Sequence, residues 1–136
     1  MLSAFDIATS GLIAQRTRLN AISSNIANMS TTHNEAGERV PYQARFAVFQ
    51  ADPGKGDSNG AAGVKVSAIE TQDIEPLLKY EPNNPDAGPD GMVAYPNINL
   101  IQESVDAIEA SRAYEANIGV IEITNNLSEQ TLRIIA

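Results

Sequence analysis

The sequence predicts a mainly α fold, in which long N- and C-terminal helices pair as an antiparallel coiled-coil hairpin around a small β-hairpin and loop region at about residues 33–97. Three observations predict it. Apolar residues keep helical spacing at both ends, all seven prolines lie within 33–97, and aromatic residues make up only 5% of the 136 residues. So few aromatic side chains suit packed helices better than a thick β-sandwich.

The first helix is predicted over residues 1–32. Steps of three and four residues give a nearly continuous apolar seam, typical of a coiled coil, at Phe5, Ala8, Leu12, Gln15, Leu19, Ile22, Ile26 and Met29. Gly11 interrupts it at a cost of about 1 kcal/mol relative to alanine. The glycine indicates close approach of another backbone, a bend, or simple tolerance.

The last helix is predicted over residues 98–136. Its seam runs through Ile98, Ile101, Val105 and Ile108, then takes a five-residue step to Ala113, Ala116, Val120, Ile123, Leu127, Gln130 and Ile134. The step shifts the stripe around the helix. Since the predicted lengths are about 40 Å and about 57 Å, the two helices cannot match along their whole length. They are expected to form one discontinuous helical domain whose surplus contacts something else.

The middle region, 33–97, is rich in proline and glycine and contains two strand-like runs, 40–50 and 63–71. A glycine-rich loop joins the two runs. Two strands alone are only marginally stable in water, so the predicted hairpin is expected to pack against a helix or a neighbouring chain.

Uncharged polar residues flank both seams. Residues 19–34 contain no Asp, Glu, Lys or Arg, and the last helix has a similar flank at Asn117, Thr124, Asn125, Asn126 and Ser128. A helix that faces water on one side normally carries charge there. Two interpretations remain: a self-contained hairpin with an ordinary core, or a second packing face against neighbouring subunits, where amides are satisfied but lone charges are costly to bury.

Charge and hydropathy exclude several partners. The net charge is −8, divided as +1 over 1–32, −5 over 33–97 and −4 over 98–136, whereas phosphate binding needs clustered Lys and Arg. We therefore expect no nucleic acid partner. No stretch approaches a membrane span, so no direct membrane insertion is expected, and the N-terminus lacks the basic and apolar regions of a cleaved secretory signal.

No catalytic, cofactor-binding or metal-binding residues are predicted. The one histidine, His33, has no carboxylate or second histidine at ligand or triad spacing. The run GKGDS at 54–58 fails the spacing of a phosphate loop, and DAGPDG at 86–91 lacks the ligands of a calcium loop. An enzyme is not expected.

Two segments resemble the bacterial flagellar axial proteins: LNAISSNIANMSTT at 19–32, and residues 76–117, above all YPNIN at 95–99 and ASRAYEAN at 110–117. The resemblance covers essentially the whole chain. About 65 residues separate the terminal helices, which fits the shorter, proximal rod members. The chain departs from the family pattern His-Pro-x-Ala-Asp at Asn84 and Gly88, so a role of that His or Asp does not transfer.

The resemblance implies a structural subunit of the proximal flagellar rod. Such subunits polymerise through their terminal helices into the tubular drive shaft that carries motor torque across the periplasm and houses the export channel. They leave through the flagellar export apparatus without a cleaved signal peptide. The implied partners are copies of the chain, the proximal rod proteins FlgB and FlgF, the distal rod protein FlgG, the rod–MS ring junction protein FliE and the export apparatus.

A tube grows from repeated contacts that do not close on themselves, so each subunit needs complementary surfaces on several sides. Asn20, Ser24, Asn25 and Asn28 are expected to hydrogen-bond to neighbouring chains. Arg112 is expected to pair with a neighbour's carboxylate. The expected packing residues are Leu12, Leu19, Asn20, Ile22, Asn25, Ile26 and Asn28 on the first helix, and Arg112, Tyr114, Asn117, Val120, Ile123 and Leu127 on the second.

Two other classes of protein remain open from the residues alone. A soluble helical-hairpin adaptor or secretion chaperone would act as a small oligomer and form a discrete dimer. An enzyme with an unrecognised site would show a concave pocket with perturbed carboxylates.

Overall fold

The computed structural model describes residues 2–56 and 60–135. Helix α1 spans Leu2–Ala27, and helix α2 spans Leu100–Ile135. Between them lie strand β1 (Arg45–Asp52), a short 3₁₀ turn (Pro53–Lys55), and strands β2 (Gly63–Thr71), β3 (Leu77–Tyr80) and β4 (Met92–Tyr95).

The prediction of a mainly α chain with one small β-hairpin was wrong. About 48% of the chain is helix and about 20% is strand, and the strands form two separate two-stranded antiparallel sheets, β1–β2 and β3–β4. The second sheet was not predicted, because β3 and β4 are only four residues long and flank a stretch rich in proline and glycine. Such short runs carry too little periodicity to be recognised.

The two helices lie antiparallel, but the predicted apolar seams do not join them. The face of α2 that packs on α1 carries small and polar residues at seven-residue intervals: Ala110 and Thr124 are buried, and Asn117 is half-buried. Opposite Asn117 lies Gly11, whose missing Cβ leaves room for the Asn117 amide. Close approach of a neighbouring helix therefore explains this glycine.

The β1–β2 hairpin lies along α1. The Ser10 hydroxyl donates to the Ile7 carbonyl at 2.6 Å and accepts from the backbone N–H of Val64 at 3.0 Å, which ties β2 to the helix. A Cβ at Gly63 would lie 2.8 Å from the Ser10 oxygen, so the strand can approach this closely only as glycine. The predicted hairpin therefore packs against a helix of its own chain.

The β3–β4 sheet is fastened to the segment that follows α1. The Thr32 hydroxyl donates to the Asp86 carboxylate at 2.8 Å, and the Arg39 guanidinium donates to the Pro85 and Ala87 carbonyls at 3.1 Å each. These bonds hold the turn between β3 and β4 against residues 32–39. Val93 on β4 is fully buried beneath them.

Asn25, near the end of α1, joins three parts of the fold. Its Nδ2 donates to the Arg45 carbonyl at 2.9 Å and to the Glu103 carboxylate at 3.2 Å. Its Oδ1 accepts from the Arg45 N–H at 2.8 Å and from the Tyr42 hydroxyl at 3.1 Å. With two donors and two acceptors used, the amide is saturated within the chain.

The apolar core is small. Among the described residues, the buried apolar side chains are mostly alanine: Ala8, Ala14, Ala21, Ile22, Val93 and Ala110. Burial of an alanine methyl group removes much less apolar area from water than burial of leucine or isoleucine. The single chain is therefore held together by polar contacts and close helix packing more than by a large hydrophobic core.

We expect Asn25→Asp to lower the free energy of unfolding by about 2–4 kcal/mol, because it removes both donors and places a second carboxylate beside Glu103 in a site that is 2% exposed. Asn20→Asp, on an exposed position of the same helix, is the matched control and should change stability by less than about 0.5 kcal/mol. Urea unfolding of both variants measures the difference, and equal effects would contradict the role given to Asn25.

The two helix glycines offer a second paired comparison. A Cβ at Gly11 would lie 2.8 Å from both amide atoms of Asn117, whereas a Cβ at Gly119 meets nothing within 4 Å. Gly119→Ala should therefore stabilise the protein by about 1 kcal/mol through helix propensity alone. Gly11→Ala should give no gain, because displacing the Asn117 amide offsets it. An equal gain at both positions in thermal unfolding would exclude the close contact.

Candidate assembly surface

The most prominent surface is an apolar stripe on the outward side of α2, away from the face that packs on α1. Its members recur at helical spacing and remain largely exposed: Ile101 is 76% exposed, Ile123 62% and Ile134 85%. Val105, Ile108, Val120 and Leu127 complete this outward stripe of α2. The exposed Arg112 separates its first part, residues 101–108, from its second, residues 120–134. Clustered exposed apolar side chains of this kind indicate a site of protein–protein contact.

Several of the predicted packing residues lie on α1. Leu12, Leu19 and Ile26 are half-buried along one edge of the helix, Asn20 is exposed, and Ile22 is buried. Asn28 is occupied locally, since its Nδ2 donates to the Ser24 carbonyl at 2.9 Å and its Oδ1 accepts from the Thr31 hydroxyl at 3.1 Å.

Asn25 differs from the expectation that it would hydrogen-bond to a neighbouring chain. All four of its bonds are made within the chain, so no donor or acceptor is left for a neighbour. Burial against β1 and α2, which the helix spacing of α1 alone does not reveal, explains the difference.

The predicted residues of α2 divide between two faces. Tyr114 and Asn117 are half-buried on the inner side, where the Asn117 Nδ2 donates to the Ala113 carbonyl at 2.8 Å. Val120, Ile123 and Leu127 belong to the outward stripe. Arg112 is exposed in the middle of that stripe and takes part in none of the ion pairs seen among the described residues.

A cleft that was not predicted from the sequence lies where the β1–β2 hairpin faces both helices. It has a volume of about 380 Å³ and is walled by Ile22 and Asn25 of α1, Phe46 and Phe49 of β1, and Gln102 and Asp106 of α2. Arg18 bridges its helical side, with Nη2 3.6 Å from Asp106 and 3.2 Å from Glu109. The alternation of a regular strand would place Phe46 and Phe49 on opposite faces, and the register shift between Val48 and Phe49 brings both to the cleft. The sequence pattern therefore did not indicate it.

Polar clusters elsewhere fasten loops. His33 lies 3.4 Å from Asp86 and 3.0 Å from the Thr32 hydroxyl. In the second sheet, hydrogen bonds from Asn84 and then Tyr95 lower the pKa of the Glu81 carboxyl, and the same bond to Glu81 raises the pKa of Tyr95.

The described residues hold no group of three or more side chains suited to a metal ion. Within the same part of the chain, neither helix is long and apolar enough to cross a membrane.

Two family models match the chain, one at each end. Residues 5–33 match the model of the flagella basal body rod protein, and residues 90–134 match the C-terminal model of the flagellar basal body rod FlgEFG proteins. The two matches cover most of α1 and most of α2, including the outward stripe of α2.

Curated relatives match along nearly the whole length. The chain is 43% identical to the flagellar basal-body rod proteins FlgC of Buchnera aphidicola and Salmonella typhimurium, over 98% of this chain and 97% of each relative. It is 36% identical to FlgC of Bacillus subtilis, over 95% of this chain and 94% of the relative. The chain thus belongs to the FlgC family of flagellar basal-body rod proteins and is a structural subunit of that rod.

Proposed function

We propose that the chain is a subunit of the proximal rod, which polymerises through its terminal helices into the tubular shaft that carries motor torque across the periplasm and surrounds the export channel. Segments 1–32 and 98–136 form the polymerising unit, and the β-rich region 33–97 braces it. The protein acts by packing and not by catalysis.

The outward stripe of α2 supports this proposal most directly. Seven isoleucine, leucine and valine side chains of this stripe are exposed to solvent in the single chain. The inner face of the same helix packs on α1 through small and polar residues. A stable monomer gains nothing from this arrangement, because burying those side chains would be worth about 1.5–3 kcal/mol each. A wall of neighbouring helices buries them.

A position in the proximal rod implies the partners of the chain. Copies of the chain and the other rod proteins FlgB, FlgF and FlgG cover the helical faces, and FliE joins the rod to the MS ring. The protein reaches this site through the flagellar export apparatus without a cleaved signal peptide. Arg112, a lone exposed cation within the outward stripe, pairs with a carboxylate of one of these neighbours.

Replacing one stripe residue tests the proposal. We expect Ile123→Ser to abolish swimming and rod completion, because it puts a hydroxyl where neighbours pack, while the thermal midpoint of the purified protein changes little at a site 62% exposed. Ile69→Ser is the matched control, since Ile69 is 55% exposed on β2 and outside both terminal helices. Normal swimming of the Ile123→Ser strain would contradict the proposal.

Hydrogen exchange gives a second test. Thr124 is the last buried residue of α2 among those whose burial is described, residues 100–134. In the dilute purified protein the amides of 125–135 should therefore exchange at least about tenfold faster than those of 103–117. In isolated basal bodies the difference should disappear, because neighbours then cover the helix end. Equal, strong protection in the purified protein would indicate a self-sufficient chain and favour a small soluble oligomer.

A further inference from the structure

An acidic row runs along one edge of the outward stripe of α2. Glu115, Glu122 and Glu129 are spaced seven residues apart, which places them on one side of the helix, and all three are exposed. None of them takes part in the ion pairs of the described residues. Charged rows beside an apolar seam determine which helix pairs with which.

The outer edge of α1 is apolar and carries a positive charge, so it is complementary to the stripe and acidic row of α2. Leu12, Leu19 and Ile26 recur at seven-residue spacing and are half-buried. The exposed charge on this side of α1 is Arg16, which also lies outside the ion pairs of the described residues. Segment 1–32 carries +1 in total, against −4 for segment 98–136.

The two surfaces lie on different sides of the helix pair. By the helical period, Leu12, Leu19 and Ile26 are on the opposite flank of α1 from Ser10, Ala14 and Ala21, which face the β1–β2 hairpin. The outward stripe adjoins the hairpin side, because Val105 lies three residues, about one helical turn, from the cleft residue Gln102. A subunit can therefore use both surfaces at once.

We propose that the outward stripe of α2 in one copy packs on the outer edge of α1 in a second copy, with Arg16 facing the row Glu115, Glu122 and Glu129. This inference rests on the proposed function and names the contact that builds the wall. The contact is heterologous, so it repeats from copy to copy. Pairing of α2 with α2 is disfavoured, because it would bring two acidic rows together.

Charge reversal tests the pairing. In a strain whose only copy is the variant, Arg16→Glu should abolish swimming, and adding Glu122→Lys should restore it at least in part. Lys65→Glu, which reverses an exposed cation on β2, is the control and should swim normally. Circular dichroism of the purified variants checks that each one folds. Failure of every single Glu→Lys change at 115, 122 or 129 to rescue Arg16→Glu would overturn the pairing.

Disulfide cross-linking locates the contact directly, since the chain has no native cysteine. Cells co-express one copy with Ser23→Cys, or in a second experiment Thr9→Cys, and another copy with Ala116→Cys, all exposed positions. Oxidised basal bodies should contain a dimer that requires both variants. A dimer from Ala116→Cys alone, or no mixed dimer at either α1 position, would overturn the inference.

The two proposals fail in different ways. If the tagged chain is missing from purified basal bodies of swimming cells, the proposed function itself is wrong. If both variants are present in those basal bodies without a mixed dimer, the rod function stands and only the α2-to-α1 contact is wrong.

Discussion

The saturated amide of Asn25 is the interaction on which the rest of this structure depends. It lies near the end of α1 and reaches the first residue of β1, the segment before it and the first turns of α2. A buried amide with all its partners stabilises a fold, whereas a missing partner leaves a polar group without water. One side chain therefore ties the end of α1 to the start of β1 and to α2.

Small residues then allow the helices to approach closely. Gly11 and Ala110 let α1 and α2 pack with polar neighbours such as Asn117 and Thr124 between them, so the pair forms without its large apolar side chains. Those side chains remain outside on α2. Because small and polar residues make the contact between the helices, the large apolar side chains of α2 are left exposed, which supports the proposed wall of neighbouring helices.

Charge is distributed to match this arrangement. The inner contacts use one bridge from Arg18 to Asp106 and Glu109, while the exposed acids of α2 and the exposed Arg16 of α1 remain available on the outside. Hydrogen bonds from Thr32 and Arg39 fasten the second sheet independently. The residues that fasten the second sheet are thus different from the exposed charged residues that we propose for assembly.

The sequence by itself determined both long helices, the β1–β2 hairpin, the absence of a recognisable catalytic motif and the resemblance to the flagellar axial proteins, because periodicity and local motifs need no tertiary contacts. Only the tertiary structure decided which face is inner: the seam at Ile101, Ile123 and Leu127 faces out, and Asn25 faces in. It also decided the short second sheet and the cleft. Periodicity defines a stripe on a helix, but whether a neighbour in the same chain or in another covers it depends on long-range packing.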